Sequence, residues 1–300
     1  QQYEIQDEHL VWRTSADLPP NQLLIQSPYD MDARNRTKRN TNWTGYAVHL
    51  TETCDQDLPC LITNVETTPA TTFDGAMTQV IHQALDSKDL LPCEHFVDTA
   101  YVDSEHLVTS QIDYDIDLIG PARLDTCWQA QSNHGFDLKS FAIDWQAQSC
   151  TCPVGNTNVA WRPKTDERGH RVIEVRFAAS DCKVCPLRSQ CTRAKNAPRL
   201  LKLRPLLQHQ ALQTARELQA TSEFKQRYQQ RAGVEGLFSQ ATLRFELRRS
   251  RYIGRPKTHL QHILIAVAIN LTRLISWLEG IPKTKTRQSR FAALAPTASA

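Results

Sequence analysis

His95-Phe96-Val97-Asp98-Thr99 is a short apolar run that ends on a carboxylate, and Tyr228-Gln229-Gln230-Arg231-Ala232-Gly233-Val234-Glu235 supplies a second acid far downstream. The first run reads as a buried strand that delivers Asp98 at its C-terminal end. At about 100° per residue, a helix through the second stretch brings Tyr228, Arg231 and Glu235 onto one face. An acid on a strand and an acid on a helix suit a divalent-cation site that activates water or a hydroxyl for attack on a phosphodiester. Each acid also has a plain structural reading. A strand-end Asp commonly caps the next turn, and a Glu near an Arg on a helix commonly forms a surface ion pair worth under about 1 kcal/mol.

Upstream of Asp98, Gly45-Tyr46-Ala47-Val48-His49-Leu50-Thr51-Glu52 alternates with period two. A turn near Cys54 to Asp57 and a second run, Leu61 to Glu66, make this a β-hairpin. Phe73, Met77, Ile81 and Leu85 recur every fourth residue, which predicts a helix before the Asp98 strand. A helix at Ser104–Ser110 and a strand at Ile116–Gly120 follow. The order is hairpin, helix, strand, helix, strand. That order resembles the mixed-sheet core of an RNase H-like fold, short of its first strand. Residues 1–40, with Pro19-Pro20 and Ser27-Pro28 as turn signals, read as a peripheral N-terminal arm.

Between residues 123 and 200 the pattern shifts to scattered Trp, tight turns and a strand at Val172–Phe177, which predicts a β-rich insertion. Cys182-x-x-Cys185 has the turn spacing that lets two thiolates grip one metal, and Cys152 and Cys191 could complete a structural Zn²⁺ site. Free buried thiols are the alternative. A bound zinc would staple a small β-subdomain with little core of its own.

Residues 201–280 read as a C-terminal helical part carrying Glu235, broken by Pro205, Gly233 and Gly236. Glycine beside a carboxylate is explicable if another backbone or a substrate comes close. Arg244, Arg248, Arg249 and Arg251, with Tyr252 and Lys257, form a basic stretch able to hold phosphates bidentately. Leu260, Ile263, Leu264, Val267, Leu271, Leu274, Ile275 and Leu278 keep one apolar helix face, which reads as core packing. Residues 281–300 are basic and then rich in Ala, Ser and Pro, and are expected to be disordered.

The chain has 300 residues, 40% hydrophobic and 22% charged, which excludes wholesale disorder. Its net charge of +3 conceals an asymmetry. Residues 1–122 hold 6 Lys/Arg against 20 Asp/Glu, whereas residues 188–257 hold 16 against 4. The back half is therefore the candidate polyanion surface, unless the acidic and basic lobes simply pair. The polar, acidic start carries no signal-peptide pattern, and the most apolar run, Ile263–Ile269, is too short to cross a bilayer. Nine cysteines in that context point to a reducing cytoplasm.

Phe96-Val97-Asp98-Thr99-Ala100-Tyr101, the Tyr228/Arg231/Glu235 spacing and the Arg248-to-Leu260 stretch together resemble a bacterial insertion-sequence DDE transposase. The branch in question carries a Tyr-Arg-Glu-Lys signature and a β-rich insertion between its second and third acids. Trp43-Thr44-Gly45-Tyr46 through Glu52 and the cysteine-bearing insertion are similar as well, so the resemblance spans residues 27–280. It implies a cytoplasmic, nucleoid-associated enzyme that uses Mg²⁺ or Mn²⁺ to cut and join double-stranded DNA. Its DNA partners would be the element's terminal inverted repeats and target DNA, and it would act as a homodimer on paired ends, with no membrane.

By the same resemblance Asp98 is the second acid, Glu235 the third, and Tyr228 and Arg231 contact DNA phosphate near the cut. The signature Lys falls at Thr242, leaving Lys257 or Arg244 to substitute. The first acid belongs on a strand before the Tyr46 hairpin, and Asp30, Asp32 and Asp55 stand in the wrong contexts. The absent initiator Met and that missing strand imply an N-terminally truncated chain. An inactive DNA-binding remnant and an unrelated metal-dependent nuclease are the alternatives.

Overall fold

The computed structural model describes residues 1–38, 40–55, 57–132 and 134–282, so the expected disordered tail lies almost wholly outside the described residues. In chain order the elements begin with β1 (Tyr3–Gln6), β2 (His9–Trp12), β3 (Arg34–Lys38), β4 (Thr41–Glu52), β5 (Ile62–Pro69) and α1 (Thr78–Asp86). Next come β6 (Glu94–Phe96), α2 (Ser104–Tyr114), β7 (Asp117–Ile119), α3 (Trp128–Ser132), β8 (Ala142–Asp144) and β9 (Ser149–Thr151). β10 (Asn158–Thr165), β11 (Arg171–Phe177), α4 (Ala179–Val184), α5 (Arg188–Cys191), β12 (Leu200–Leu203) and α6 (Leu206–Leu218) follow. The chain closes with α7 (Ser222–Tyr228), α8 (Gly233–Phe245) and α9 (Arg255–Leu278).

These elements form two compact units, residues 1–91 with 228–300 and residues 92–227. The division differs from the boundaries expected from sequence, because the Asp98 strand goes with the β-rich segment rather than with the Tyr46 hairpin. The class is mixed α/β, but the described strands do not form one mixed sheet. β3, β4 and β5 make an antiparallel sheet and β6 and β7 a separate parallel pair. The reason lies in the pairing: residues 41–45 of β4 bond to β3 and 46–52 to β5, while β6 bonds to β7.

In the first unit, residues 34–38 belong to the sheet rather than to a peripheral arm. Arg36 explains why a basic stretch can sit there, since its Nη1 donates to Ala70 O, Thr72 O and the Asp74 carboxylate. Asp30 and Asp32 are also structural. Asp30 accepts from Tyr46 Oη at 2.7 Å and from Gly254 N at 3.0 Å, and Asp32 accepts from Arg255 N at 3.4 Å. Together they cap the start of α9 from a distant loop, as carboxylates at a helix N-terminus do. Burial works to raise the Asp30 pKa, but the bonds from Gly254, Tyr46, Asp32 and Ala33 outweigh it and hold it below the usual value. Gly254 takes φ +89 immediately before the helix, a conformation that favours glycine.

α9 packs on β5 through a face different from the one its apolar stripe predicts. The stripe from Leu260 to Leu278 is exposed, and the buried residues are Thr258, Gln261, His262, Ile265, Ala266 and Ile269. Polar complementarity selects this face. His262 Nδ1 lies 2.8 Å from Thr67 Oγ1, and Asn270 bonds both the N–H and the C=O of Ile62 at the end of β5. By length and composition α9 would suit a membrane span. Asn270 and Arg273, bonded to β5 and β4, tie it to the sheet instead.

Burial, reinforced by His259, pushes the His262 pKa down to about 4. An unfolded His titrates near 6.5, so between these values the unfolded chain binds the extra proton. Stability should therefore fall as pH drops from about 6.5 towards 4, by up to roughly 3 kcal/mol from this group. Denaturant melts across that range check this, and the same curve in His262→Gln should be flatter.

In the second unit, β10, β11 and β12 form an antiparallel sheet whose core is Phe141, Cys150, Val175, Phe177, Leu201 and Leu203. A second small core of Val97, Val102, Leu118 and Ala122 packs the β6–β7 pair beneath α2 and α6. The part expected to be helical from residue 201 begins instead within β12, and Pro205 caps the start of α6 rather than breaking a helix.

Candidate nucleic-acid interface and acids

Asp98 sits two residues beyond β6, past buried Val97, and its side chain accepts from Thr99 N at 2.7 Å to cap a short 3₁₀ turn. The carboxylate is exposed. Its strand is held from two sides. A Cβ added at Gly120 would meet Val97 O at 2.6 Å, so only glycine lets the end of β7 pass this close. At the other end, Arg227 bridges Glu94 (2.6 Å) and Asp117 (3.1 Å), the neighbours that open β6 and β7. These ion pairs raise the Arg227 pKa, chiefly through the bond to Glu94.

Glu235 belongs to the first unit, in the first turn of α8. The continuous helix expected through Tyr228 is interrupted by a 3₁₀ turn at Gln229–Ala232, yet the three side chains still meet. Arg231 Nη1 lies 3.5 Å from Glu235 Oε1, and Arg231 Cζ lies 6.0 Å from the Tyr228 ring centroid. The Glu235 side chain is 72% exposed, so the pair leaves most of the carboxylate open to solvent. α8 is fixed from its opposite face, where Leu237 and Ala241 are fully buried with Ile62, Leu247, Ile265 and Ile269.

Gly236 is exposed and helical, and a Cβ there would meet nothing within 4 Å. The fold does not require this glycine. Gly236→Ala is expected to raise stability by about 0.5–1 kcal/mol while weakening DNA binding, if a nucleic-acid backbone passes there. Thermal melts and anisotropy titrations on one preparation check both halves; unchanged DNA binding would remove the glycine from the interface.

Between α8 and α9 the loop is rigidly anchored. Gln261, buried on α9, accepts from Arg251 N and donates to Arg249 O, and Ser250 Oγ contacts buried Thr258 at 3.1 Å. Arg244, Arg248, Arg249, Arg251, Tyr252 and Lys257 all remain exposed around it. Glu246 pairs with Arg251 at 2.6 Å and Arg249 at 3.8 Å, with its own pKa lowered first by the Arg251 bond. A fixed backbone with outward guanidinium groups suits phosphate contacts, since little ordering entropy remains to be lost. Sequence reasoning missed Gln261 and Thr258, whose signal is two polar residues three apart on an apolar helix.

Cys152, Cys182, Cys185 and Cys191 come together at one cavity of about 30 Å³ in the second unit. Cys150 does not join them; it is buried in the β-rich core, and burial pushes its thiol up to about 11. All nine cysteines are free thiols. Among the described residues no three His, Cys, Asp or Glu are placed to hold a metal ion as they stand. This applies equally to the carboxylates, so the described acids do not by themselves complete a three-carboxylate centre.

The structure thus presents a strand-end acid, a Tyr–Arg–Glu grouping and an anchored basic loop. Residues 151–275 match the family described as Transposase DDE domain, and this match supports a DDE transposase. The matched segment holds Cys152, Cys182, Cys185, Cys191, Tyr228, Arg231, Glu235 and the basic loop, while Asp98 lies before it. No curated protein and no solved structure matches the chain.

Proposed function

We propose that the chain is the transposase of a bacterial DNA insertion sequence, cutting and joining DNA strands by hydrolysis followed by transesterification. The observation that carries this reading is Arg231 lying between Tyr228 and Glu235, from the end of α7 to the start of α8, inside the matched segment. Asp98 and Glu235 are the second and third acids of the set. The first is unassigned, since Asp30 and Asp32 are engaged at the start of α9. Mg²⁺ or Mn²⁺ bound by such carboxylates would make water, and then a DNA 3′-hydroxyl, nucleophilic.

The chain's own side chains position the substrate. Tyr228 and Arg231 hold a phosphate beside Glu235, and Arg244, Arg248, Arg249, Arg251, Tyr252 and Lys257 grip the flanking duplex. The partners are the element's terminal inverted repeats and target DNA, engaged by two copies of the chain in the bacterial cytoplasm. A second reading is a DNA-binding remnant without chemistry, which the anchored basic loop before α9 would serve equally well.

The deciding experiment incubates the chain with duplex DNA bearing the element's ends, in Mg²⁺ or Mn²⁺, and scores nicking, joining and binding. Metal-dependent cleavage at the element's ends establishes the transposase; binding without cleavage under either metal supports the remnant instead.

A further inference from the structure

We infer that Cys152, Cys182, Cys185 and Cys191 form a structural Zn²⁺ site that staples the β-rich unit. The four residues arrive from separate places in the chain. Cys152 opens a tight turn after β9, closed by Gly155 N to Cys152 O (2.8 Å) and Cys152 N to Asn156 O (2.8 Å). Cys182 lies on α4, Cys185 caps its end and Cys191 ends α5. Residues up to 39 apart in sequence therefore line one cavity. A two-residue spacing on one turn and a knuckle on another is how thiolate zinc sites are assembled.

The backbone around the cavity is already pinned. Arg188 donates to the carbonyls of Cys182, Ala194, Lys195 and Ala197, and Arg199 and Gln129 both donate to Cys191 O. Arg188 and Arg199 also line the cavity, where they would offset the double negative charge of a zinc ion bound by four thiolates. Arg199 Nε is buried and has no hydrogen-bond partner, an orphaned donor that a metal-bound thiolate would satisfy.

Four thiols from a two-residue-spaced pair, a tight turn and a helix end suit a tetrahedral ion. Zinc binding draws the four lining thiols closer together, since no three of them hold a metal as placed. Each thiol that binds releases its proton to solvent, so affinity rises with pH. The unit has reason to need the staple: among the described residues its β-sheet core cluster has six buried members, and Cys152, Cys182 and Cys191 pack against it.

The test uses the full chain, purified under reducing conditions and equilibrated with Zn²⁺, with bound metal measured by mass spectrometry. About one zinc per chain is expected. Cys182→Ser/Cys185→Ser should lose it, and Cys93→Ser, at an exposed thiol away from the cavity, should keep it. Because the double variant could fail to fold, Co²⁺ is also substituted into the unaltered protein. A tetrahedral thiolate spectrum is the expected result. Substoichiometric zinc after equilibration, an iron–sulfur chromophore, or equal zinc in the folded double variant would overturn the proposal.

Discussion

Glu235→Gln is expected to lower metal-dependent strand cleavage at least about a hundredfold, or about 2.7 kcal/mol of transition-state stabilisation, while leaving the melting temperature nearly unchanged. The asymmetry follows from the geometry. The Glu235 side chain is 72% exposed and pairs with Arg231 at 3.5 Å, an i,i+4 surface pair. Such pairs contribute about 0.3–0.5 kcal/mol. Proximity to the positive end of α8 adds a similar amount. Losing a negative charge there therefore costs the fold little, whereas a carboxamide cannot replace a carboxylate as a cation ligand. Cleavage rates and melting temperatures of the two proteins decide the matter. Equal cleavage would remove Glu235 from the chemistry, and a large drop in melting temperature would assign it a structural role instead.

Arg273→Ala should destabilise the first unit strongly, costing roughly 3–5 kcal/mol and lowering the melting temperature by roughly 6–20 °C. Arg273 Nη1 lies 2.5 Å from Glu52 Oε2, and the Glu52 side chain is only 4% exposed. The same guanidinium donates to Cys60 O at 2.8 Å and to Gln240 Oε1 at 3.1 Å. Removing it strands a buried carboxylate and two acceptors, and an uncompensated buried charge is the costly outcome. Glu52 also lies against the start of α8, since a Cβ at Gly233 would come within 3.7 Å of its Oε1. The ion pair thus joins β4, α8 and α9 beneath the turn that carries Glu235. Replacing both partners, Glu52→Gln with Arg273→Met, should recover much of the loss. A melting temperature for Arg273→Ala within about 2 °C of the parent would mean that the pair contributes little.

Several elements were legible from local pattern because local forces make them. The period-two run at Gly45–Glu52 is part of β4, and the acid-ended run at His95–Asp98 is β6 with its cap. Ile81 and Leu85 do bury one face of α1, although Phe73, assigned to the same stripe, is exposed ahead of it. Arg231 reaches both Tyr228 and Glu235 although the helix is broken, because a 3₁₀ turn aligns residues three apart and the backbone stays right-handed helical through Ala232 and Gly233 into α8. Thr242, where the resemblance places a lysine, is a partly buried residue of α8, and the nearby exposed cations are Arg244 and Lys257.

Periodicity by itself determined where helices and strands run and which residue types cluster along them: the hairpin, the strand-end acid, the Tyr–Arg–Glu spacing and the cysteine pair. Tertiary structure alone decided which face of α9 is buried. Leu260 to Leu278 form the more apolar stripe, but Asn270, His262 and Arg273 find partners on β4 and β5, and a buried polar group without one costs more than an exposed leucine. It also decided that Asp30 and Asp32 cap a helix more than 200 residues away and that Cys152 joins Cys182, Cys185 and Cys191 at one cavity. Such partnerships depend on chain crossings that no local window of sequence contains.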